Sequence, residues 1–238
     1  MIDFHTHILP DIDDGSCSVE ESVRMIEVLV EQGVKKIILT PHFYAYRSSI
    51  ERFTEKRKAA LKELVKALKE QNIDVELYLG SEVLFFDELW RIENIEELCI
   101  VGTRYILLEM PFASWEHSAV EHIINLANRG IIPVLAHFER YLKYRGNMPK
   151  IREMMRSGIL VQMNCDYLNK VLTKGKALKL IKKGSIFALG TDCHNLGDRK
   201  PDFEGIENLL NKKLDKMSYD RFTRRQSSFI KGATRFYP

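Results

Sequence analysis

The amino-terminal stretch MIDFHTHILPDIDDG (residues 1–15) leads from a short apolar run directly into two histidines and three aspartates. Its first five residues predict a buried strand. Because side chains alternate along a strand, His5 and His7 are expected on the same side. We interpret Asp11 and Asp13 as turn residues. A strand and a turn need far fewer ionisable groups than this, so the stretch indicates a chemical site at the end of a strand.

The same arrangement recurs along the chain, where short apolar runs alternate with amphipathic stretches. Strands are predicted at 1–5, 34–40, 74–80, 104–110, 131–137, 159–164 and 185–191, and helices at 18–33, 50–71, 116–129, 147–157 and 173–183. This alternation is typical of parallel βαβ units and fits both an open doubly wound sheet and a closed barrel. The absence of GxGxxG and GxxxxGKS/T fingerprints makes the nucleotide-binding open sheet the less favoured of the two.

Composition limits the kind of protein. The 238 residues, 45% of them hydrophobic, predict one domain over 1–238 with a basic C-terminal helix and tail from about 203. A net charge of +3 is too small to indicate nucleic acid. No run approaches the ~20 apolar residues of a membrane span, and no secretory leader pattern is present. Four cysteines without a CxxC pair indicate reduced thiols, so we expect a cytoplasmic protein that does not insert into membranes.

The most informative feature is the residue type that follows each strand. Six of the seven predicted strands end in a histidine, aspartate or glutamate. In a parallel barrel these ends share one rim, where barrel enzymes build their active sites. A carboxylate such as Glu109 at the end of a buried strand costs several kcal/mol unless it is paired or ligated. The candidate metal ligands are His5, His7, Asp14, His42, Glu82, Glu109, His137, Asp192 and His194.

The ligand types narrow the metal and the reaction. Five imidazoles and four carboxylates suit Mn²⁺, Fe²⁺ or Zn²⁺, and nine ligands exceed one coordination sphere. We therefore expect two or three divalent ions. Such ions lower the pKa of bound water and stabilise the oxygens of a displacement at phosphorus. Phosphoester hydrolysis is the first reaction class to consider, and amide or amidine hydrolysis is its rival.

The order of motifs HTH, TPH, GSE, LLE, AH and GTDCHN resembles the polymerase-and-histidinol-phosphatase superfamily. The longer strings DFHTHILPDIDDGS, AHFERY and DCHN followed by an arginine resemble its bacterial manganese-dependent protein-tyrosine phosphatases, which accompany capsular and exopolysaccharide synthesis. The resemblance runs from residue 1 to about 201. It implies a distorted seven-stranded (β/α)7 TIM-like barrel with a trinuclear, usually manganese-loaded, centre at the carboxyl ends of the strands.

The resemblance also implies roles for residues outside the ligand set. Arg140 and Arg199 match the phosphate-handling arginines, and a guanidinium can grip two phosphoryl oxygens. The leaving phenolate would be stabilised by metal or protonated by a nearby acid, for which His42, also a candidate ligand, is the candidate. The family commonly has a histidine and a proline where this chain has Phe43 and Phe138. Around the first of these, Tyr44, Tyr46 and Arg47 alter the rim where substrate docks, and Arg47 is a candidate substrate-binding residue.

The expected function is hydrolysis of phosphotyrosine on a protein, with the tail of a bacterial tyrosine kinase of capsule synthesis as the expected partner. One alternative is a phosphoesterase acting on histidinol phosphate or a sugar phosphate. A second is a non-catalytic phosphotyrosine-binding regulator. The basic tail and the long helix at 50–71 could also mediate assembly into a homo-oligomer.

A third alternative comes from CHNLGDR (193–199), which matches the CxxxxxR spacing of cysteine-dependent tyrosine phosphatases. That chemistry needs a phosphate-binding loop at a helix N-terminus. Here Asp198 would repel phosphate and Pro201 does not extend a helix from the loop, so the sequence disfavours Cys193 as a nucleophile.

Overall fold

The apolar runs form a predominantly parallel sheet in a computed structural model that describes residues 1–237. The strands are β1 (Ile2–Thr6), β2 (Lys36–Leu39), β3 (His42–Phe43), β4 (Glu76–Leu79), β5 (Glu82–Leu84), β6 (Tyr105–Glu109), β7 (Ile132–Leu135), β8 (Leu160–Asn164), β9 (Ala188–Gly190) and β10 (Arg235–Tyr237). All seven predicted strands are confirmed. The structure adds β3, β5 and β10, which periodicity did not separate or detect.

Helices connect the strands and cover the outer face of the sheet. They are α1 (Val19–Glu31), α2 (Ile50–Glu70), α3 (His117–Asn128), α4 (Asn147–Arg156), α5 (Cys165–Asn169), α6 (Val171–Lys182), α7 (Ile206–Lys213) and α8 (Lys216–Gly232), with 3₁₀ segments at Leu89–Arg91, Ile95–Leu98 and Phe138–Lys143. The predicted helices agree within about two residues. Ser18 and Ser49 cap α1 and α2 because each hydroxyl accepts a hydrogen bond from a first-turn backbone N–H.

The sheet curls so that its first and last parallel strands meet. The strand orders are β1-β2-β4-β10 and β3-β5-β6-β7-β8-β9, and within residues 1–237 only β10 runs antiparallel to its neighbour. A parallel bridge joins Thr6 to Cys193, where His7 N donates to Cys193 O at 2.9 Å. Gly190 permits this approach, because a Cβ there would lie 2.5 Å from Cβ of His5. The architecture is an α/β fold with a curled parallel sheet.

Alternating strand residues build apolar layers on both sides of the sheet. Along β2, Ile37 and Leu39 belong to the large core beneath the helices, whereas Ile38 belongs to a second cluster with Phe4 and Val134. This alternation follows from the two-residue period of a strand. The second cluster fills the concave side of the curl and leaves the carboxyl ends of the strands to the polar residues.

The region from about 203 is more ordered than its loosened sequence pattern indicates. It forms α7 and α8 and then β10, which pairs with β4 at the edge of the sheet. Phe222, Phe229 and Ile230 bury the apolar face of α8. The expected basic helix is present. No helix among residues 1–237 combines the length and apolarity needed to span a membrane.

Candidate metal centre

The structure brings all nine predicted residues together at the carboxyl ends of the strands. They form three overlapping groups, within each of which one potential ligand atom per residue lies within 4.8 Å of the others. The groups are His7, Asp14, His42 and His194; His5, Glu82, His137 and Asp192; and His42, Glu82 and Glu109. Residues nearly two hundred positions apart are thus neighbours because the curl brings β1 beside β9.

Glu82 lies at the middle of the three groups. Its Oε2 is 3.1 Å from Nε2 of His5, Nε2 of His7 and Nδ1 of His42, and its Oε1 is 2.7 Å from Nε2 of His137. The side chain is fully buried. Four imidazoles therefore surround one buried carboxylate, whose two oxygens face different histidines.

Two aspartates complete the ring on the other side. Oδ1 of Asp192 lies 3.6 Å from His5 Nε2 and 3.5 Å from His7 Nε2. Oδ1 of Asp14 lies 3.7 Å from His42 Nε2 and 3.5 Å from His194 Nε2. Asp14 is the more exposed of the two aspartates, so this part of the ring faces the opening of the site.

The donor atoms are arranged to bind cations rather than to form hydrogen bonds with one another. Both carboxylate oxygens of Glu82, Nδ1 of His42 and Nε2 of His194 are buried and have no hydrogen-bond partner among residues 1–237. Buried polar atoms normally have a hydrogen-bond partner. These atoms instead face one another with their lone pairs, an arrangement that a cation between them would stabilise. Nitrogen and carboxylate donors in this ratio suit divalent ions such as Mn²⁺, Fe²⁺ or Zn²⁺. The residues present therefore fit a metal site.

Burial and neighbouring charges set the protonation of the group. Burial lowers the pKa of His5, and it lowers the pKa of His42 to about 4, which favours the neutral imidazole that binds metal. Burial, reinforced by the charge of Glu82, raises the pKa of Glu109 to about 7. An added positive charge would reverse this last shift, because it would favour the carboxylate form.

A second set of polar groups orients the histidines. Nδ1 of His7 lies 2.7 Å from Oδ2 of Asp13, which also accepts a hydrogen bond from the backbone N–H of His42 at 2.7 Å. This fixes His7 with Nε2 turned toward the centre. Burial alone would lower the pKa of His7, but the negative charge and hydrogen bond of Asp13 outweigh it and raise this pKa to about 10. The sequence interpretation of Asp13 as a turn residue missed this contact, although Asp13 also accepts from Gly15 N within the turn.

The histidines on the far side are oriented by β8. Nδ1 of His5 lies 3.3 Å from Gln162 Oε1, and Nδ1 of His137 lies 3.3 Å from Asn164 Oδ1. Asn164 also donates to Asp192 Oδ2 at 3.1 Å. The predicted strand at 159–164 contributed no site residue to the sequence analysis. Its signal was available, because two amides in an otherwise apolar buried run need polar partners.

The backbone is adjusted where the side chains must turn inward. His137 has φ 47° and Asp192 has φ 57°, which is uncommon for residues other than glycine. Each lies two residues beyond the end of a strand, β7 for His137 and β9 for Asp192. At Gly15 a Cβ would lie 2.1 Å from the carbonyl oxygen of His7, so only glycine lets the turn close over His7.

Two arginines lie at the opening. Arg140 donates to Asp192 Oδ2, and Arg199 lies 3.1 Å from Asp192 Oδ1 and 3.3 Å from Asp14 Oδ2. Both arginine side chains remain more than a third exposed. The arginines predicted to handle phosphate therefore sit between the nine residues and solvent, and they contact two carboxylates of the ring.

Aromatic side chains flank the opening on two sides. Tyr44 stacks on His42 with ring centroids 4.9 Å apart, and Arg47 lies over Tyr44 at 4.8 Å and over Tyr46 at 5.5 Å. On the other side, Arg140 lies over the ring of half-exposed Phe112 at 5.7 Å. Arg47 is exposed and reaches the site through these tyrosines.

The two positions at which this chain differs from the common family pattern lie in the core. Phe43 and Phe138 are 1% and 3% exposed, and Phe43 packs edge-on against Phe53. Neither aromatic ring takes a place among the nine residues, all of which are present.

Cys193 is also placed for packing. Its side chain is fully buried, and burial raises its pKa well above the usual value. A thiol in that environment stays protonated and is a poor nucleophile. The short segment after Cys193 forms no helix, so the backbone cradle that cysteine chemistry requires is not found among the described residues there.

The fold and this arrangement define a class of α/β proteins in which a curled parallel sheet carries a histidine- and carboxylate-rich site at the carboxyl ends of its strands. Within that class, the model of the capsular polysaccharide synthesis CpsB/CapC family matches residues 1–230. The chain belongs to this family, which confirms the resemblance seen in the motifs.

Individual relatives agree with this assignment. The chain is 29% identical over 222 residues to the tyrosine-protein phosphatase CpsB of Streptococcus pneumoniae, with 90% of each chain covered. It is 30% identical over 205 residues to the tyrosine-protein phosphatase YwqE of Bacillus subtilis, with 84% of this chain and 79% of YwqE covered. The solved structures of YwqE from B. subtilis and CpsB from S. pneumoniae, described as unique metal-dependent tyrosine phosphatases, include a chain with TM-score 0.84 and 27% identity. That match covers 100% of this chain and 98% of the other.

Proposed function

We propose that this protein is a metal-dependent protein-tyrosine phosphatase of capsular or exopolysaccharide synthesis. The observation that carries the proposal is the convergence of nine histidines and carboxylates, with buried donor atoms that lack partners, in a chain similar over nearly its whole length to tyrosine phosphatases. Phosphomonoester hydrolysis uses such a donor set to bind divalent ions.

The proposed ligands are the nine residues of the three groups, and the proposed cofactor is two or three divalent ions, with manganese first and iron or zinc as alternatives. Bound there, such ions supply Lewis acidity and a nucleophilic hydroxide near neutral pH. Glu82 would contribute both of its carboxylate oxygens to the ligand set, because the two oxygens face different histidines. Asp13, Gln162 and Asn164 hold three of the imidazoles with one nitrogen turned inward.

The arginines bind the phosphoryl group in this proposal. Arg140 and Arg199 approach the site from its solvent side and each guanidinium has more N–H groups than its aspartate contacts use. The free N–H groups can donate hydrogen bonds to phosphoryl oxygens and stabilise the charge that develops on them. The departing phenolate would be stabilised by metal or protonated by a nearby acid, for which His42 beside the opening is the candidate. Burial lowers the pKa of His42 to about 4 and the residue belongs to two of the three groups, so the structure favours its role as a ligand over its role as the acid.

The aromatic rim favours an aromatic substrate. A phosphotyrosine ring entering between the Tyr44 side and the Phe112 side would find apolar faces at the depth of the site, and Arg47 would meet the peptide outside. This rim supports phosphotyrosine over a sugar phosphate, because a sugar phosphate has neither an aromatic ring to contact the aromatic side chains nor a peptide to contact Arg47. The protein partner we propose is the phosphorylated tail of a bacterial tyrosine kinase.

Finer features of the fold belong to the same proposal. If β2 with β3 and β4 with β5 each count as one interrupted strand, the parallel strands number seven and the pattern is a distorted (β/α)7 barrel. We further propose that residues 1–238 act as one unit and that the protein works in the cytoplasm.

The test compares a phosphotyrosine peptide with sugar phosphate and histidinol phosphate at equal concentrations, in the presence of manganese. We expect the peptide to be the preferred substrate and a chelator to abolish turnover. The double variant His5→Ala/His7→Ala should lose metal and activity, and His117→Ala/His122→Ala is the matched control outside the site. Full activity of the first variant would refute the ligand assignment. A preference for the small phosphates would refute the substrate, and binding without turnover would indicate a regulator.

A further inference from the structure

A second cavity lies at the opposite end of the strands from the nine residues. It has a volume of about 1070 Å³, and its wall includes Tyr105 and Leu160, the first residues of β6 and β8. Glu109 and Asn164, at the other ends of the same strands, belong to the metal centre or support it. The two sites are therefore separated by the length of the sheet.

The floor of this cavity is apolar. Tyr105 and Phe187 stack with ring centroids 5.7 Å apart and planes 8° from parallel, and Met155 and Ile159 extend the same surface. Met217 on α8 is 74% exposed beside it. An exposed methionine next to an apolar floor leaves a surface to which a ring or another flat apolar group can bind.

The rim of the cavity is strongly basic. Four cations of α8 line it, Lys216, Arg221, Arg224 and Arg225, and the single lining carboxylate is Asp220. Asp220 lies 3.6 Å from Arg224. The other three cations have no carboxylate within ion-pair distance among residues 1–237, so their charge is available to an anion.

Two of these arginines have a structural task that the other two cations lack. Arg221 donates to the carbonyl of Lys182 and Arg225 to the carbonyl of Gly184 at 2.8 Å, which satisfies backbone acceptors after α6. These contacts account for the position of Arg221 and Arg225. They account for neither Lys216 and Arg224 nor the apolar floor below them.

We propose that this cavity binds an organic polyphosphate with an aromatic or apolar body, of which a nucleoside diphosphate is the chemical type. Several cations on one rim suit two linked phosphates, because guanidiniums bind phosphate oxygens in pairs. The floor supplies a surface for the ring, and the volume is that of a ligand cavity. Side chains hold the phosphates here, so the binding needs no glycine-rich loop.

The experiment is isothermal titration calorimetry of the full chain with the non-hydrolysable α,β-methylene analogue of adenosine diphosphate. We compare the wild type with Lys216→Gln/Arg224→Gln, which removes two cations that make no backbone contact. The matched control is Arg52→Gln/Lys62→Gln, which removes the same charge from the exposed face of α2. The cavity variant should weaken binding by about tenfold or more, and the control should leave it unchanged. Phosphatase activity without nucleotide should be the same in all three proteins.

Further arms identify what is recognised and where. Pyrophosphate alone and adenosine alone should each bind more weakly than the analogue. Equal binding of pyrophosphate would overturn the role of the floor, and tighter binding of a polyglutamate peptide would overturn the ligand class. Equal loss of binding in the two charge variants would show a bulk charge effect and would refute the site. Binding lost in His5→Ala/His7→Ala but kept in the cavity variant would place the ligand at the metal centre and refute the proposal.

Discussion

Arg57 is the buried residue whose replacement tests the structure most directly. It is 1% exposed, and its guanidinium donates to the carbonyls of Gly80 at 2.7 Å and Glu97 at 2.9 Å. Gly80 follows β4 and lies two residues before Glu82. Arg57 therefore holds the turn that delivers the central carboxylate of the metal centre.

The size of the effect follows from these contacts. Arg57→Met keeps most of the side-chain volume but leaves two carbonyls without their donor, at about 1–3 kcal/mol each. Relief from burying a charged group offsets part of this, since burial already lowers the pKa of Arg57 to about 10. We expect a net loss of about 2–4 kcal/mol in the free energy of unfolding.

The assay is urea unfolding monitored by circular dichroism, together with elemental analysis of bound manganese. Arg52→Met is the matched control, because it makes the same change on the exposed face of the same helix and should alter stability by less than about 0.5 kcal/mol. Metal content should fall only in the Arg57 variant. If Arg57→Met unfolds at the same urea concentration as the wild type, the contacts with Gly80 and Glu97 do not stabilise the fold and the reasoning is wrong.

Three further predictions follow from other contacts. Asp13→Asn should weaken manganese affinity by about 10–100-fold while circular dichroism stays unchanged, because His7 loses its carboxylate partner; unaltered affinity in a chelator competition would contradict the role of Asp13. Cys193→Ser should keep phosphatase activity near that of the wild type, and only a loss of turnover in a soluble, metal-loaded variant would restore the cysteine mechanism. Burial raises the pKa of Glu76, but the hydrogen bonds from Tyr78 and Lys36 lower it by more. The pKa of Glu76 therefore lies below its usual value of 4.5. Glu76 therefore stabilises the fold above that pH and loses this contribution as the pH falls below it. Glu76→Gln should flatten the acid limb of thermal stability, and an unchanged limb would refute the prediction.

The sequence predicted the strands well because their apolar runs are continuous and end at polar residues. It ended the second and third predicted strands at 40 and 80 and so missed β3 and β5, which are two and three residues long and contain the polar residues His42 and Glu82. It also missed β10, whose three residues pair with a strand about 160 positions earlier. Such a pairing depends on tertiary contacts that local periodicity does not contain.

The nine residues of the candidate site were predicted more completely than the residues that orient their side chains. The convergence of the nine residues was predicted because they lie at or beyond the ends of strands, and the carboxyl ends of parallel strands share a rim. Asp13 was interpreted through the turn it helps to form, and only the fold places its second oxygen against His7. Gln162 and Asn164 carried a signal as buried amides, but their partners His5 and His137 could be identified only after β8 was placed between β7 and β9.

The meeting of β1 with the segment after β9 has a consequence for the order of events during synthesis. The first and last members of the donor set, His5 and His194, leave the ribosome nearly a whole chain apart in time. A nascent chain that lacks residues 192–194 has neither Asp192 nor His194 beside His5 and His7. If the nine residues bind divalent ions as proposed, the complete set becomes available only after nearly the whole chain has been synthesised.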